Sequence, residues 1–120
     1  QIGMAAIVQQ LAASGVPCLY REVRPLVTGI EGYLCLNLAP QALKALMCAV
    51  EEQHPLGRLF DIDVFTDEGR QMSRGHWGVP LRKCLLCDKE GAVCARAKTH
   101  STEELIAKMQ EMLDCYELSC

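Results

Sequence analysis

The chain has 120 residues, of which half are apolar, 5% are aromatic and 22% are charged, and its formal net charge is −3 at pH 7. This length is enough for one domain with a hydrophobic core but not for two, so we predict a single domain over residues 1–120. The acidic balance and the few aromatic residues exclude a nucleic-acid-binding surface built from basic patches and stacking rings. Every apolar run is interrupted within about ten residues, which excludes a transmembrane helix, and no segment has the pattern of a signal peptide.

Cysteine use is high, with eight in the chain. In a secreted protein such a number would suggest disulfides. Three of them, Cys18, Cys35 and Cys48, lie within apolar segments, where a cysteine is usually a small buried hydrophobic residue. Because no secretion signal is visible either, we predict a reduced protein located in the cytoplasm.

The first third of the chain has the pattern of a helix followed by two strands. Apolar residues recur at spacings of three and four over residues 4–13, and Gly15 and Pro17 end this predicted helix. Residues 18–27 have an extended pattern, residues 28–32 contain turn residues, and residues 33–38 alternate as in a strand.

Two further helices are predicted from their ends. Pro40 suits the first position of a helix over residues 41–53, and His54-Pro55 ends that helix, because the residue before a proline is disfavoured in the helical region. Ser101 and Glu104 form the pattern of a capping box before the last helix. The order helix, strand, strand, helix, hairpin, helix predicts an α+β domain with a small mixed or antiparallel sheet.

Residues 54–74, HPLGRLFDIDVFTDEGRQMSR, have the composition of a central β-hairpin with its turn at residues 67–69. Asp61 and Asp63 are two residues apart, so on a strand both carboxylates point to the same face. Such carboxylates repel each other unless a cation lies between them, and Mg²⁺ with phosphate oxygens in its remaining positions would relieve the repulsion. The alternative is the solvated outer face of an edge strand.

A second candidate site is formed by four residues that suit a metal. Cys84, Cys87, Cys94 and His100 lie within seventeen residues, and this donor set fits a tetrahedral Zn²⁺ site of the Cys3His type. Two alternatives stay open: buried free thiols, and a redox-active CxxC pair.

Positive charge is concentrated in the middle of the chain, because eight of the twelve lysines and arginines lie between residues 58 and 98. Arg82, Lys83, Arg96 and Lys98 form either a solvated basic face or contacts to a triphosphate, and both interpretations stay open.

Several segments closely resemble one enzyme family. HPLGRLFDIDVFTDEGRQMSR and, after it, PLRKCLLCDKEGAVCARAKTHSTEEL resemble the citrate lyase holo-acyl-carrier-protein synthases, which are apo-citrate lyase phosphoribosyl-dephospho-CoA transferases. The upstream segments REVRPLVTGIEGYLCLN and EEQH are similar to that family as well, and the motifs occur in the same order with the same gaps. Family members are longer at the N-terminus, so we expect this chain to lack the N-terminal part of the family domain.

The resemblance implies a nucleotidyltransferase-like fold and a specific reaction. The phosphoribosyl-dephospho-CoA group would pass from triphosphoribosyl-dephospho-CoA to a serine of the acyl carrier (gamma) subunit of citrate lyase, and pyrophosphate would leave. Asp61 and Asp63 would hold Mg²⁺, and His54 would act either as the base for the serine hydroxyl or only as a helix cap. The predicted phosphate-binding residues are Arg58, Arg74, Arg82 and Arg96.

The chain departs from ordinary nucleotidyltransferases at two points. Gly57-Arg58 stands where a Gly-Ser pair is usual, and no third carboxylate is obvious downstream, although Asp67 and Asp88 are candidates. Two alternative functions therefore stay open. One is a non-catalytic, zinc-stabilised module that binds a carrier protein, and the other is the equivalent synthase of malonate decarboxylase. We expect neither a nucleic acid nor a membrane as a partner.

Overall fold

A computed structural model describes residues 1–75 and 78–118 of the chain. The described part contains helices and one small antiparallel sheet, which confirms the predicted α+β class. In chain order the elements are α1 (Ile2–Ala13), β1 (Cys18–Leu26), β2 (Gly29–Leu36), α2 (Pro40–Gln53), a 3-10 turn (Gly57–Leu59), α3 (Gly91–Ala97) and α4 (Thr102–Leu118). None of the helices in the described ranges combines the length and the apolar character that crossing a membrane requires.

Helix α1 ends as its sequence predicts. Gly15 has a φ of +69°, which is the left-handed conformation that glycine adopts without strain. The N–H of Gly15 donates to the carbonyl of Ala12, and the N–H of Val16 donates to the carbonyl of Leu11. These two bonds satisfy carbonyl groups at the helix end and turn the chain toward β1.

Strands β1 and β2 form a two-stranded hairpin in which Leu26 pairs with Gly29 and Glu22 pairs with Tyr33. The turn therefore lies at Val27 and Thr28, and β2 begins earlier than the predicted strand over residues 33–38. Most residues of the hairpin are exposed, whereas Leu34 and Leu36 pack against the core. The sheet thus contributes two side chains from one face of β2 to the core, and most of its other residues are exposed to solvent.

The core lies between α1, α2 and the segment that follows α2. Ile7 and Leu11 of α1 meet Met47 and Val50 of α2, and Val64 and Met72 complete the buried cluster. The helix predicted over residues 41–53 is therefore confirmed, and its apolar side faces the core. His54 ends this helix in an extended conformation, as expected for a residue before proline.

The prediction of a full β-hairpin over residues 54–74 is wrong in its extent. Residues 57–59 form a 3-10 turn, and the rest is joined by one β-bridge between Phe65 and Gln71. Hydrogen bonds from Thr66 N–H to the Arg70 carbonyl and from Met72 N–H to the Val64 carbonyl close the predicted turn. Val64 and Met72 pack into the core while Phe65 is exposed, and no extended ladder forms in this segment.

The C-terminal region contains one unpredicted helix and one predicted helix. Helix α3 has only seven residues and no side-chain cap. Helix α4 begins with the predicted capping box: Ser101 Oγ accepts from Glu104 N–H at 3.1 Å, and Glu104 Oε1 accepts from Ser101 N–H at 3.2 Å. No residue of α4 within the described range is fully buried.

Gly57 is expected to tolerate no side chain. A Cβ atom there would run into the carbonyl oxygen of Glu51 and would lie 2.5 Å from its carbonyl carbon, and backbone atoms cannot move aside easily. We expect Gly57→Ala to lower the free energy of unfolding by about 1–3 kcal/mol, measured by urea denaturation. Gly91→Ala is the matched control, because its Cβ would meet backbone atoms only at 3.5 Å or more. Equal stability of the two variants would contradict the close packing of Gly57.

Candidate functional site

Asp61 and Asp63 lie on the exposed side of the segment after the 3-10 turn, while Val64 points into the core. Both aspartates line an open cleft of about 550 Å³ between this segment, α1, α2 and β2. The alternation of exposed and buried residues follows the extended backbone, even though no full strand forms. Asp63 Oδ1 accepts a hydrogen bond of 3.0 Å from Gln71 Nε2, so the turn fixes one carboxylate.

The same cleft contains a carboxylate that the sequence analysis missed. Glu31 of β2 lines the cleft together with Tyr33, whose hydroxyl donates to Glu31 Oε2. The guanidinium of Arg24 lies 5.3 Å from the ring centre of Tyr33 and pairs with Glu22. The only sequence signal was the position of Glu31 in the segment similar to the family, because its place in the same cleft as Asp61 depends on tertiary packing.

His54 does not line this cleft. Its Nδ1 atom accepts a hydrogen bond of 3.0 Å from Leu56 N–H, and its ring lies 5.0 Å from that of Phe60 and 5.6 Å from that of Tyr116. These contacts describe a residue that organises the turn after α2. Its role as a general base stays a prediction.

Arg74 and Arg82 converge on the buried carboxylate of Glu51. Arg74 Nη2 lies 3.1 Å from Glu51 Oε1, and Arg82 Nη1 lies 2.9 Å from Oε2. The Glu51 side chain is only 4% exposed and that of Arg74 only 10%. Burial is the largest single influence and lowers the pKa of Arg74, but the hydrogen bonds to Glu51 and Glu52 together with nearby negative charge exceed it, so the pKa is raised.

Both guanidinium groups make further hydrogen bonds within the chain. Arg74 donates to Glu52 and to the Pro80 carbonyl, each at 3.1 Å. Arg82 donates to the carbonyls of Gly57, Arg58 and Phe60 at 2.8–3.1 Å. Donors already bonded inside the protein favour a structural role, and the phosphate-binding role of these residues stays a prediction.

The other two predicted phosphate ligands also lie away from the lining of the acidic cleft. Arg58 donates to the backbone carbonyl of Lys83, and burial followed by the nearby charge of Arg82 lowers its pKa. Arg96 is exposed on α3. Asp67 lines a separate depression of about 280 Å³ beside Pro40 and Arg70, and Asp88 is exposed in the cysteine loop.

Cys84, Cys87, Cys94 and His100 are brought together as the sequence predicts. One ligand atom from each lies within 4.8 Å of the others, and the sulfurs of Cys87 and Cys94 are 3.5 Å apart. Three backbone features build the cluster: a tight loop over residues 83–90, helix α3, and the left-handed residue Lys98. The group could hold a metal ion such as zinc.

Two polar features of this cluster suit a metal. The N–H of Leu86 points at Cys84 Sγ at 3.5 Å, and this hydrogen bond is the main reason that the pKa of the Cys84 thiol falls to about 6. By contrast, burial raises the pKa of the Cys94 thiol, which favours its protonated form. His100 Nε2 is buried without a partner among the described residues, whereas Nδ1 lies 4.0 Å from Glu104 Oε2.

A family model described as apo-citrate lyase phosphoribosyl-dephospho-CoA transferase matches residues 1–116 of the chain. The chain belongs to this family. The matched range includes the residues of both the acidic cleft and the cysteine cluster.

Individual members of the apo-citrate lyase phosphoribosyl-dephospho-CoA transferase family support the assignment. The protein of that name from Citrobacter koseri is 39% identical over 111 residues, which are 92% of this chain and 61% of the relative. Those from Escherichia coli O9:H4 and Shigella boydii serotype 18 are each 45% identical over 87 residues, 72% of this chain and 48% of the relative. The matched region thus spans roughly half to three-fifths of the length of these curated relatives.

Proposed function

We propose that the chain carries out the transfer implied by its family. It would move the phosphoribosyl-dephospho-CoA group from triphosphoribosyl-dephospho-CoA to a serine of the citrate lyase acyl carrier subunit and release pyrophosphate. The main support is the family membership of a chain in which Asp61 and Asp63 share the exposed side of an open cleft. We further propose the cytoplasm as the location and a nucleotidyltransferase-like arrangement for the single domain.

Two metals belong to this proposal. Mg²⁺ at Asp61 and Asp63 would neutralise charge on the triphosphate and on the departing pyrophosphate, which is the main requirement of phosphoryl transfer. Glu31 is a further oxygen donor at the same cleft. Zn²⁺ at Cys84, Cys87, Cys94 and His100 would be a structural ion, because four protein ligands leave no position open for substrate.

The proposed reaction is tested by mass spectrometry of the carrier subunit. Apo carrier protein is incubated with the purified chain, Mg²⁺ and the triphosphate donor, and we expect its mass to increase by that of the transferred group. The full-length Citrobacter koseri relative serves as the positive control for donor and carrier. Labelling by the relative but not by this chain would overturn the proposal and would favour the non-catalytic carrier-binding module.

A second acceptor distinguishes the remaining alternative. The same incubation is repeated with the carrier protein of malonate decarboxylase. We expect labelling of the citrate lyase carrier to be faster. Preferential labelling of the malonate decarboxylase carrier would assign the chain to the equivalent synthase instead.

A further inference from the structure

We infer that a zinc ion in the cysteine cluster serves as a clamp for the segment that carries Asp61, with Arg82 as the positioning residue between them. The clamp consists of three parts, which are the zinc ligands, the loop that holds Arg82, and the backbone of residues 57–60. The effect of the clamp on catalysis through Asp61 rests on the proposed function, whereas its effect on the order of the backbone does not.

The ligand geometry suits a tetrahedral metal. Zn–S bonds of about 2.3 Å at tetrahedral angles place sulfurs about 3.8 Å apart. The observed separation of 3.5 Å between the sulfurs of Cys87 and Cys94 lies close to that value, and all four ligand atoms lie within 4.8 Å of one another. The buried Nε2 of His100 has no partner among residues 1–75 and 78–118, so it needs an electron-pair acceptor or a hydrogen bond, and a metal would satisfy it. The carboxylate of Glu104 lies beside Nδ1 of His100, and carboxylates commonly orient metal-bound histidines from this position.

The metal loop is tied at its base to Arg82. Cys84 N–H donates to the Lys89 carbonyl at 2.7 Å, and Gly91 N–H donates to the Arg82 carbonyl at 2.9 Å. The backbone of Arg82 is therefore part of the closed loop, which has few buried apolar residues besides Cys94. A metal would supply the order that packing does not supply here.

The side chain of Arg82 then reaches the segment before Asp61. Its three hydrogen bonds go to the carbonyls of Gly57, Arg58 and Phe60, and Phe60 is directly bonded to Asp61. Arg58 forms a second link between the same two segments, because its side chain donates to the Lys83 carbonyl. The loop and the segment are thus crosslinked in both directions, so loosening the loop should loosen the segment that aims Asp61 into the cleft.

The first test measures metal and backbone order without an activity assay. We expect about one zinc per chain by elemental analysis and X-ray absorption with three sulfur neighbours and one nitrogen neighbour. Removing zinc with a chelator should raise amide hydrogen exchange at least about tenfold in residues 82–100 and in residues 57–63, but not in α1. Cys94→Ser should lose the zinc, and Cys35→Ser, an exposed cysteine outside the cluster, should retain it. Protein without zinc when prepared under reducing conditions, or a zinc loss that leaves exchange in residues 57–63 unchanged, would overturn the inference.

The second test separates positioning from phosphate binding. Arg82→Lys keeps the charge but cannot reach three carbonyls with one ammonium group. We expect this variant to retain zinc, to exchange faster in residues 57–63, and to lose at least about tenfold in kcat with little change in the KM of the donor. A raised donor KM with unchanged exchange would instead assign Arg82 to phosphate and overturn its positioning role. Failure of the parent chain to transfer would count against the proposed function alone, because zinc content and exchange are measured independently.

Discussion

Replacing Asp61 or Asp63 with asparagine lowers the rate of carrier labelling by at least about a hundredfold, because each substitution removes a negative ligand from the proposed Mg²⁺. Asparagine has the shape of aspartate, and Asp63→Asn can still accept the hydrogen bond from Gln71 through its side-chain oxygen. The fold should therefore be unchanged by circular dichroism and urea denaturation. The rate is measured by the mass-spectrometric assay over a range of Mg²⁺ concentrations.

Asp67→Asn is the matched control for these substitutions. Asp67 lies in the turn of the same segment but does not line the cleft of Asp61 and Asp63. We expect its rate to stay within about threefold of the parent, which corresponds to less than 1 kcal/mol. If the Asp61 and Asp63 variants also labelled the carrier within about threefold of the parent rate, these residues would belong to a solvated surface and the Mg²⁺ assignment would fail.

Local sequence patterns predicted the elements that are defined by local forces. Pro40, the His54-Pro55 pair and the Ser101 capping box fix the ends of α2 and the start of α4 through hydrogen bonds and sterics within a few residues. The shared exposed side of Asp61 and Asp63 also follows from a local rule, because alternation needs only an extended backbone. The Cys3His group could be predicted from spacing since its ligands lie within one short stretch.

Features that depend on distant residues escaped the sequence analysis. The hairpin predicted over residues 54–74 is reduced to one bridge, and it begins with a 3-10 turn in which Gly57 packs against the backbone of Glu51 in α2. Helix α3 is short, begins with a glycine and has no side-chain cap, so its stability comes from its place between the cysteine loop and His100.

The role of Glu51 carried a sequence signal that was not used. Met47, Val50 and Glu51 lie at helical spacing, so Glu51 occupies the apolar stripe of α2 rather than its polar face. A carboxylate there must be paired, and the partners had to be cations from elsewhere in the chain. The phosphate-binding role predicted for Arg74 and Arg82 followed from the family resemblance, and no local pattern showed that both arginines also pair with this buried acid.

Replacing Glu51 with alanine lowers the free energy of unfolding by about 3–5 kcal/mol, because removal of one member of a buried ion pair leaves its partners uncompensated. Arg74 has a side chain only 10% exposed, and without Glu51 it would face the neighbouring charge of Arg82 with one fewer anion. Urea denaturation followed by circular dichroism measures the loss. The neighbouring Glu52→Ala is the control, since Glu52 pairs with the same arginine but is 59% exposed.

The exposed pair should contribute less than about 1 kcal/mol, because water screens it. Equal losses of unfolding free energy for Glu51→Ala and Glu52→Ala would show that burial does not distinguish the two carboxylates. They would contradict the buried ion pairs of Glu51 with Arg74 and Arg82. A double-mutant cycle with Arg74→Ala isolates the pair itself, and we expect a coupling of about 1–3 kcal/mol for Glu51 with Arg74. Because Glu51 also holds Arg82, the Glu51→Ala variant should raise hydrogen exchange in residues 57–60, whereas Glu52→Ala should leave that segment protected.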